Sequence, residues 1–245
     1  MNVKRTVLIQ LALLLAFTLG ANAQSPELDK VLKAMDQQAA TFKNAKADFD
    51  WDQYTKVVDE HDHSKGTIYF RREGKNSVEM AADIRNEVTE KVNGKPVTKL
   101  VPKQYVVFKG GLVQVYNLGS EQVTEYNAGK NKDEFESFLV LGFGGSGEEL
   151  KKQFDVKYSG KENVGGVNAA KLALTPKSQK VHDMYSQIIL WIDPAKGVSV
   201  QQQFITADGD YRLAKYSNIE LNKSISDNVF KLKTSGKVTI VRPQG

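Results

Sequence analysis

The sequence predicts a mainly β, α+β fold: one curved antiparallel sheet with a long N-terminal helix and a short helical insertion. From Ala45 onward, apolar and polar side chains alternate with the period of a half-exposed strand. Two-residue turn signals such as Asn93-Gly94 separate the alternating runs, as they do in hairpins. Helical periodicity is confined to the segment before Ala45 and to one central segment, which disfavours the βαβ pattern of a parallel sheet.

The first residues have the features of a secretory signal peptide. Lys4 and Arg5 precede an apolar run at 7–19, and Ala21-Asn22-Ala23 supplies the small residues at which signal peptidase cuts. The apolar run is short for a membrane span. We expect cleavage after Ala23, which removes 23 of 245 residues and leaves 222, numbered 24–245, as a single domain. An uncleaved N-terminal anchor is the alternative interpretation.

Charge and cysteine content narrow the class of protein. The formal net charge of +5 falls to +3 when Lys4 and Arg5 are removed, and the remaining charges are interspersed, which argues against a nucleic-acid partner. The chain has no cysteine, so it has no residue to carry the lipid of a bacterial lipoprotein. We therefore expect a mature protein that has no lipid anchor and is free to diffuse in the compartment it enters.

The first predicted element after the signal peptide is an amphipathic helix. Ser25 is the expected N-cap and Pro26 the first helical residue. Its apolar side chains recur at helical spacing, at Leu28, Val31, Leu32, Met35, Ala39 and Phe42.

The strand-like runs that follow are short and bounded by turn residues. Beginning with Ala47, Phe49 and Trp51, they continue at 67–72, 77–81, 84–92, 97–101, 105–108, 112–116, 122–126, 156–158, 171–174, 187–192, 198–206, 211–219 and 238–241.

One central segment interrupts the strands. Residues 133–141 form a short apolar stretch compatible with a helix, and Phe143 follows it inside a glycine-rich stretch at 142–147. Ser146 and Glu149 have the spacing of a capping box for a second helix that continues through Phe154. A short apolar helix flanked by glycines fits a movable cover, and it fits a fixed plug packed on the sheet equally well.

Few residues suggest chemistry. His61-Asp62-His63 is predicted to lie in a polar loop at 59–65, where an H-x-H pair binds zinc only if further ligands converge. Asp48, Asp50 and Asp52 imitate the start of a calcium loop, but the required glycine and glutamate positions do not match. The glycine spacing at 142–147 resembles a dinucleotide fingerprint without the preceding strand of a βαβ unit. We therefore predict no catalytic residues, no cofactor and no metal.

The order of motifs resembles that of the periplasmic outer-membrane lipoprotein carriers, the LolA family. No single motif is specific, but the series covers nearly the whole predicted mature chain. It comprises Ala47-Asp48-Phe49 after the helix, Gly66-Thr67-Ile68-Tyr69-Phe70-Arg71-Arg72, the hairpin at 109–117, Phe138-Leu139-Val140-Leu141 with its glycine-rich tail, Leu172-Ala173-Leu174-Thr175-Pro176-Lys177, and the run from Tyr216 to Phe230.

The resemblance implies a half-open antiparallel β-barrel whose apolar cavity holds acyl chains under a short helical lid. In the family, the second arginine of the basic pair holds the lid shut by bonding to its backbone, a role that maps onto Arg72. The residues expected to line the cavity are Phe49, Trp51, Ile68, Phe70, Phe108, Val115, Phe138, Leu139, Leu141, Phe143 and Trp191.

The same resemblance implies the function and the partners. The protein would be a periplasmic monomer that carries acylated lipoproteins or lipid from an inner-membrane release complex to an outer-membrane acceptor, without enzymatic activity. Two features depart from the family pattern: Glu73 replaces a proline, and the segment 81–103 is longer than usual. An envelope sensor of lipid or lipoprotein with the same fold is the alternative function, followed by a secreted hydrolase.

Overall fold

A single open sheet organises the chain in the computed structural model, which describes residues 25–74, 77–93, 95–129, 141–234 and 236–243. Within these residues the sheet has twelve strands in the order β12-β6-β5-β4-β3-β2-β1-β11-β10-β9-β8-β7. The strands are β1 (Asn44–Thr55), β2 (Glu60–Glu73), β3 (Ser77–Val92), β4 (Lys95–Lys109), β5 (Leu112–Asn117), β6 (Gln122–Asn127), β7 (Phe154–Val164), β8 (Val167–Pro176), β9 (Gln187–Asp193), β10 (Val198–Ile205), β11 (Tyr211–Leu221) and β12 (Thr239–Val241).

Neighbouring strands are antiparallel except for β12, which runs parallel to β6. The helices are α1 (Pro26–Thr41), α2 (Gly147–Gln153) and α3 (Gln179–Met184), and Asp227–Phe230 forms a 3₁₀ turn. The predicted class, mainly β with an open antiparallel sheet and a long N-terminal helix, is confirmed.

Helix α1 covers one half of the face that we call the inner face of the sheet. It begins at Pro26, as its N-terminal signals predict, and it buries Leu28, Val31, Leu32 and Met35. These side chains form one core cluster with the inner-face residues of β8 to β10, which are Ala170, Leu172, Leu174, Ile188, Leu190, Ile192 and Phe204. The helix therefore seals that half of the sheet by aliphatic packing.

The prediction of a polar loop at 59–65 is wrong. His61, Asp62 and His63 belong to β2, where they pair with Tyr54, Gln53 and Asp52 of β1. The hairpin extends beyond the edge of the core, so polar side chains lie on both of its faces and the apolar alternation that signals a strand disappears. The turn between the two strands spans only 56–59.

The longer segment at 81–103 forms a two-stranded arm. The pairing of β3 with β2 ends at Arg85, and from there β3 pairs with β4 out to Val92 and Lys95. The arm is largely exposed, and its tip includes Asn93 with a φ of 51°. The separately predicted runs at 77–81 and 84–92 are therefore one strand, and so are those at 97–101 and 105–108.

A chain segment near the C-terminus packs against the outer face of β2 to β4. Phe230 packs there with Ala81 and Val107, and the guanidinium of Arg71 lies 4.4 Å from the Phe230 ring centroid. Arg71 also binds the buried Glu79, with Nη2 to Oε2 at 2.5 Å. Burial alone would raise the pKa of Glu79, but hydrogen bonds from Lys109 and Arg71 outweigh it and hold the pKa below its usual value.

Two expected features lie outside the described residues. The signal peptide at 1–23 is one, and the helical stretch at 133–141 is the other, except for Leu141. Among the described residues, no helix combines the length and apolar character that crossing a membrane requires.

Candidate functional site: an apolar face closed by a glycine-rich segment

The second half of the inner face is lined by aromatic and aliphatic side chains from β1 to β5. Phe49, Ile68, Phe70 and Phe108 are buried in one cluster with Phe143. They share a face because each strand contributes alternate residues.

Trp51 and Val115 lie at the half-buried margin of this face. The Trp51 ring stacks on Phe49 with centroids 4.1 Å apart. Val115 pairs across the ladder with Val106, which packs against the same cluster. Six of the eleven predicted cavity residues thus share this surface, which we call the hollow face, and a seventh, Phe143, packs against it.

Four predicted residues are not part of this group. Leu141 packs into the α1 cluster instead. Trp191 lies on the outer face with Ala169 and Val200, because its neighbours in β9 point toward α1 and successive strand residues alternate. Phe138 and Leu139 lie outside the described residues.

Phe143 covers the hollow face. Its ring stacks on Phe70 with centroids 5.2 Å apart, and it meets the Tyr216 ring edge-on at 4.8 Å. Phe143 is 1% exposed, so it fills the space in front of β1 and β2. In this structure the inner face of β1 and β2 is therefore packed against a side chain of the protein itself.

The segment 141–147, which carries Phe143, is tethered to β10. The backbone N–H of Ser199 donates to the carbonyl of Gly142 at 2.8 Å. The Gln202 side-chain amide donates to the carbonyl of Leu141 at 2.5 Å, and its oxygen accepts from the Tyr216 hydroxyl at 3.0 Å. Burial raises the pKa of Tyr216 to about 12, so this hydroxyl keeps its proton and continues to donate.

Arg72 links the same segment to α1 through two hydrogen bonds. Its Nη2 donates to the carbonyl of Gly144 at 2.9 Å, and its Nη1 donates to the carbonyl of Ala39 at 3.3 Å. Its guanidinium carbon lies 5.7 Å from the Phe42 ring centroid. Glu73, the departure from the family pattern, lies 3.7 Å from Arg71 through Oε1 and Nη2. The substitution at 73 thus leaves Arg72 bonded to the glycine-rich segment.

Two glycines allow the segment to lie this close to its neighbours. Gly142 and Gly144 have φ values of 80° and 90°, in the region that favours glycine. A Cβ on Gly144 would lie 2.5 Å from the Phe42 ring, and one on Gly142 would lie 2.6 Å from Cβ of Ser199. The segment 141–147 can therefore lie this close to Phe42 and Ser199 only because both positions are glycine.

The sequence interpretation missed Ser199, Gln202 and Tyr216 as contacts of the cover. Gln202 is 5% exposed and lies between Gln201 and Gln203 in β10, two residues before the buried Phe204. A buried amide needs hydrogen-bond partners, so a glutamine at an inward strand position was the available signal. The sequence alone could not identify the segment that supplies those partners.

Comparisons with solved structures support the fold. An uncharacterized conserved protein from Thermus thermophilus aligns over 89% of this chain and 99% of its own, with a TM-score of 0.51 and 10% identity. MucB aligns over 88% of this chain with a TM-score of 0.50 and 14% identity. The alignment covers 66% of the MucB chain, just under two thirds of its length.

The matches also include a LolA superfamily protein. The protein NE2245 from Nitrosomonas europaea aligns over 84% of this chain and 97% of its own, with a TM-score of 0.37 and 12% identity. At 10–14% identity, these likenesses concern the fold alone. No protein-family model matches the sequence, and no curated protein matches it.

Proposed function

We propose that the protein is a non-enzymatic carrier that holds acyl chains of lipoproteins, or a similar hydrophobic cargo, against the hollow face. In this proposal it crosses the periplasm between an inner-membrane release complex and an outer-membrane acceptor. The observation that carries the proposal is the hollow face, whose cover among the described residues is Phe42 and the short glycine-rich segment 141–147. Arg72 acts as the gate because it bonds to that segment's backbone.

The energetics suit uptake and release without a nucleotide. Transfer of an acyl chain out of water is favourable by about 0.8 kcal/mol per methylene, so a chain of modest length supplies several kcal/mol. Each hydrogen bond that holds the cover contributes on the order of 1 kcal/mol net. An incoming acyl chain can therefore offset the loss of the bonds from Arg72, Gln202 and Ser199.

The two tryptophans of the chain provide a direct test. Trp51 borders the hollow face and Trp191 lies on the outer face, so each can report separately when the other is replaced by phenylalanine. A fatty acid brominated along its chain quenches only fluorophores with which it is nearly in contact. We expect it to quench Trp51 in the Trp191→Phe variant and to leave Trp191 in the Trp51→Phe variant unchanged.

The outcomes are distinct. Equal quenching of both tryptophans, or none of either, contradicts binding at the hollow face. Native mass spectrometry of protein purified from its own compartment then identifies the cargo. A co-purifying acylated polypeptide supports the carrier role, and a regulatory membrane protein without any acylated cargo supports a sensor.

The sensor is the second candidate because of the match to MucB. MucB has also been solved in complex with MucA. A protein with the same fold can therefore hold a protein partner, and the mass-spectrometric test separates the two functions.

A further inference from the structure

Three potential metal ligands converge on the outer face of the β1–β2 hairpin. Nδ1 of His61 lies 2.7 Å from Oδ1 of Asp52, and Nδ1 of His63 lies 3.8 Å from the same oxygen. The two imidazole rings are nearly parallel, with 7° between their planes and 5.9 Å between their centroids. One ligand atom from each residue falls within a 4.8 Å cluster.

The strand pairing fixes this arrangement. His63 is the direct cross-strand partner of Asp52, and His61 lies two residues away on the same face of β2. The turn at 56–59 keeps the two strands in register. Because the backbone positions are set by the ladder, binding an ion would order only three side chains.

The distances suit a transition-metal ion. In a tetrahedral site with metal–ligand bonds of 2.0–2.1 Å, ligand atoms lie about 3.3 Å apart. The separations of 2.7 and 3.8 Å from Asp52 to His61 and His63 fall on either side of that value, so side-chain rotation alone can adjust them. Exposed fractions of 42% for His61 and 64% for His63 leave room for further ligands.

The surroundings favour a cation. The Tyr211 hydroxyl donates to Oδ2 of Asp52 at 3.5 Å, which leaves Oδ1 facing the histidines. The Tyr54 ring packs on His61 with centroids 4.7 Å apart. Asp50 shares this face, and its neighbour Lys65 makes its shorter ion pair, at 2.7 Å, with Glu87.

We propose that Asp52, His61 and His63 bind one divalent transition-metal ion of the zinc class. Two imidazoles and one carboxylate suit Zn²⁺ and leave coordination positions for water or a partner's side chain. The site lies on the opposite face of the sheet from the hollow face, and it is independent of the proposed carrier function.

The test uses the untagged protein, because a histidine tag would bind the probe ion. Calorimetric titration with Zn²⁺ should give one ion per chain, and Ca²⁺ should give no heat of binding. Replacing His61 or His63 by asparagine should weaken Zn²⁺ binding at least about tenfold. Co²⁺ should give a visible absorption band that disappears in both variants and in Asp52→Asn.

His182, the remaining histidine of the chain, provides the matched control. His182→Asn should bind Zn²⁺ as the unmodified protein does, and circular dichroism should confirm that every variant is folded. Three outcomes would overturn the site: no Zn²⁺ binding, binding that survives in His61→Asn and His63→Asn, or an equal loss in His182→Asn.

Discussion

The two halves of the inner face are covered in different ways. On β8 to β10, the sixteen-residue helix α1 packs aliphatic side chains onto residues such as Leu172 and Leu190, which are 0% exposed. On β1 to β5, the described cover is Phe42 and the segment 141–147, which rests on aromatic rings and a few hydrogen bonds.

The difference distinguishes a permanently packed core under α1 from a face whose cover can open at a lower cost. Continuous aliphatic packing loses contacts over a large area if it opens, whereas the glycine-rich cover loses the two ring contacts of Phe143 and a small set of hydrogen bonds. The half under α1 should therefore carry the stability of the fold, and the hollow face should carry its function. The following predictions test that division, beginning with the largest expected effect.

Leu190→Ala should lower the free energy of unfolding by about 3 kcal/mol, because it leaves a cavity under α1. Val113→Ala, at the half-buried margin of the hollow face, should lower it by about 1 kcal/mol or less. Urea denaturation measures both values. Similar losses in the two variants would contradict the division.

Gly144→Ala should unseat the cover, since the added Cβ would lie 2.5 Å from the Phe42 ring. Gly160→Ala is the matched control: Gly160 has a φ of 94° and would meet nothing within 4 Å. Both substitutions introduce backbone strain of about 1–2 kcal/mol. Gly144→Ala should cost about 1–2 kcal/mol more and should increase the binding of a fluorescent apolar dye; equal dye binding would contradict the proposed cover.

Alkaline pH should weaken the cover through Tyr216. Because burial raises the pKa of Tyr216 to about 12, the unfolded chain releases this proton at a lower pH than the folded chain does. This contribution is complete below pH 10 and is lost as the pH rises toward 12. Thermal melting from pH 9 to 12 should show a smaller decline for Tyr216→Phe than for the unmodified protein. Identical slopes would contradict the role given to the hydroxyl.

Arg72→Met should have a small effect on stability, about 1 kcal/mol for the bond to Gly144. It should raise the population of the open form, and hence the rate of acyl uptake, roughly fivefold. Arg85→Met is the control, because the hydrogen bonds of that arginine go to Asp83 at the base of the arm. Stopped-flow uptake of a fluorescent fatty acid measures both, and equal rates would contradict the gate.

The sequence predicted the sheet well where one side of a strand faces the core. Alternation at Ala47, Phe49 and Trp51 placed β1, and Ser146 caps α2 as expected by accepting from the N–H of Glu149. The prediction of strands failed where both faces of a strand are polar, as at His61 to His63. The predicted helices also did not include α3, which is only six residues long.

Prediction of the site residues was limited because their placement depends on contacts between distant parts of the chain. Period two placed Ile68 and Phe70 on one face, but the same rule could not tell which face Trp191 occupies. That choice depends on where α1 packs, a contact between residues distant in the chain. The hydrogen bonds of Gln202 and Arg72 to the glycine-rich segment depend on the same long-range docking.

The pairing of β1 with β11 has a consequence for biogenesis. It joins Ala45 to Leu221 in the middle of the sheet, so the two ends of the chain must meet before the sheet is continuous. Such distant pairing makes folding slow, because the entropic cost of closing a long loop comes before the stabilising contacts form. A nascent chain cannot join β1 to its neighbour until β11, at 211–221 of 245 residues, has been synthesised, and until then it depends on machinery that keeps exposed strand edges from aggregating.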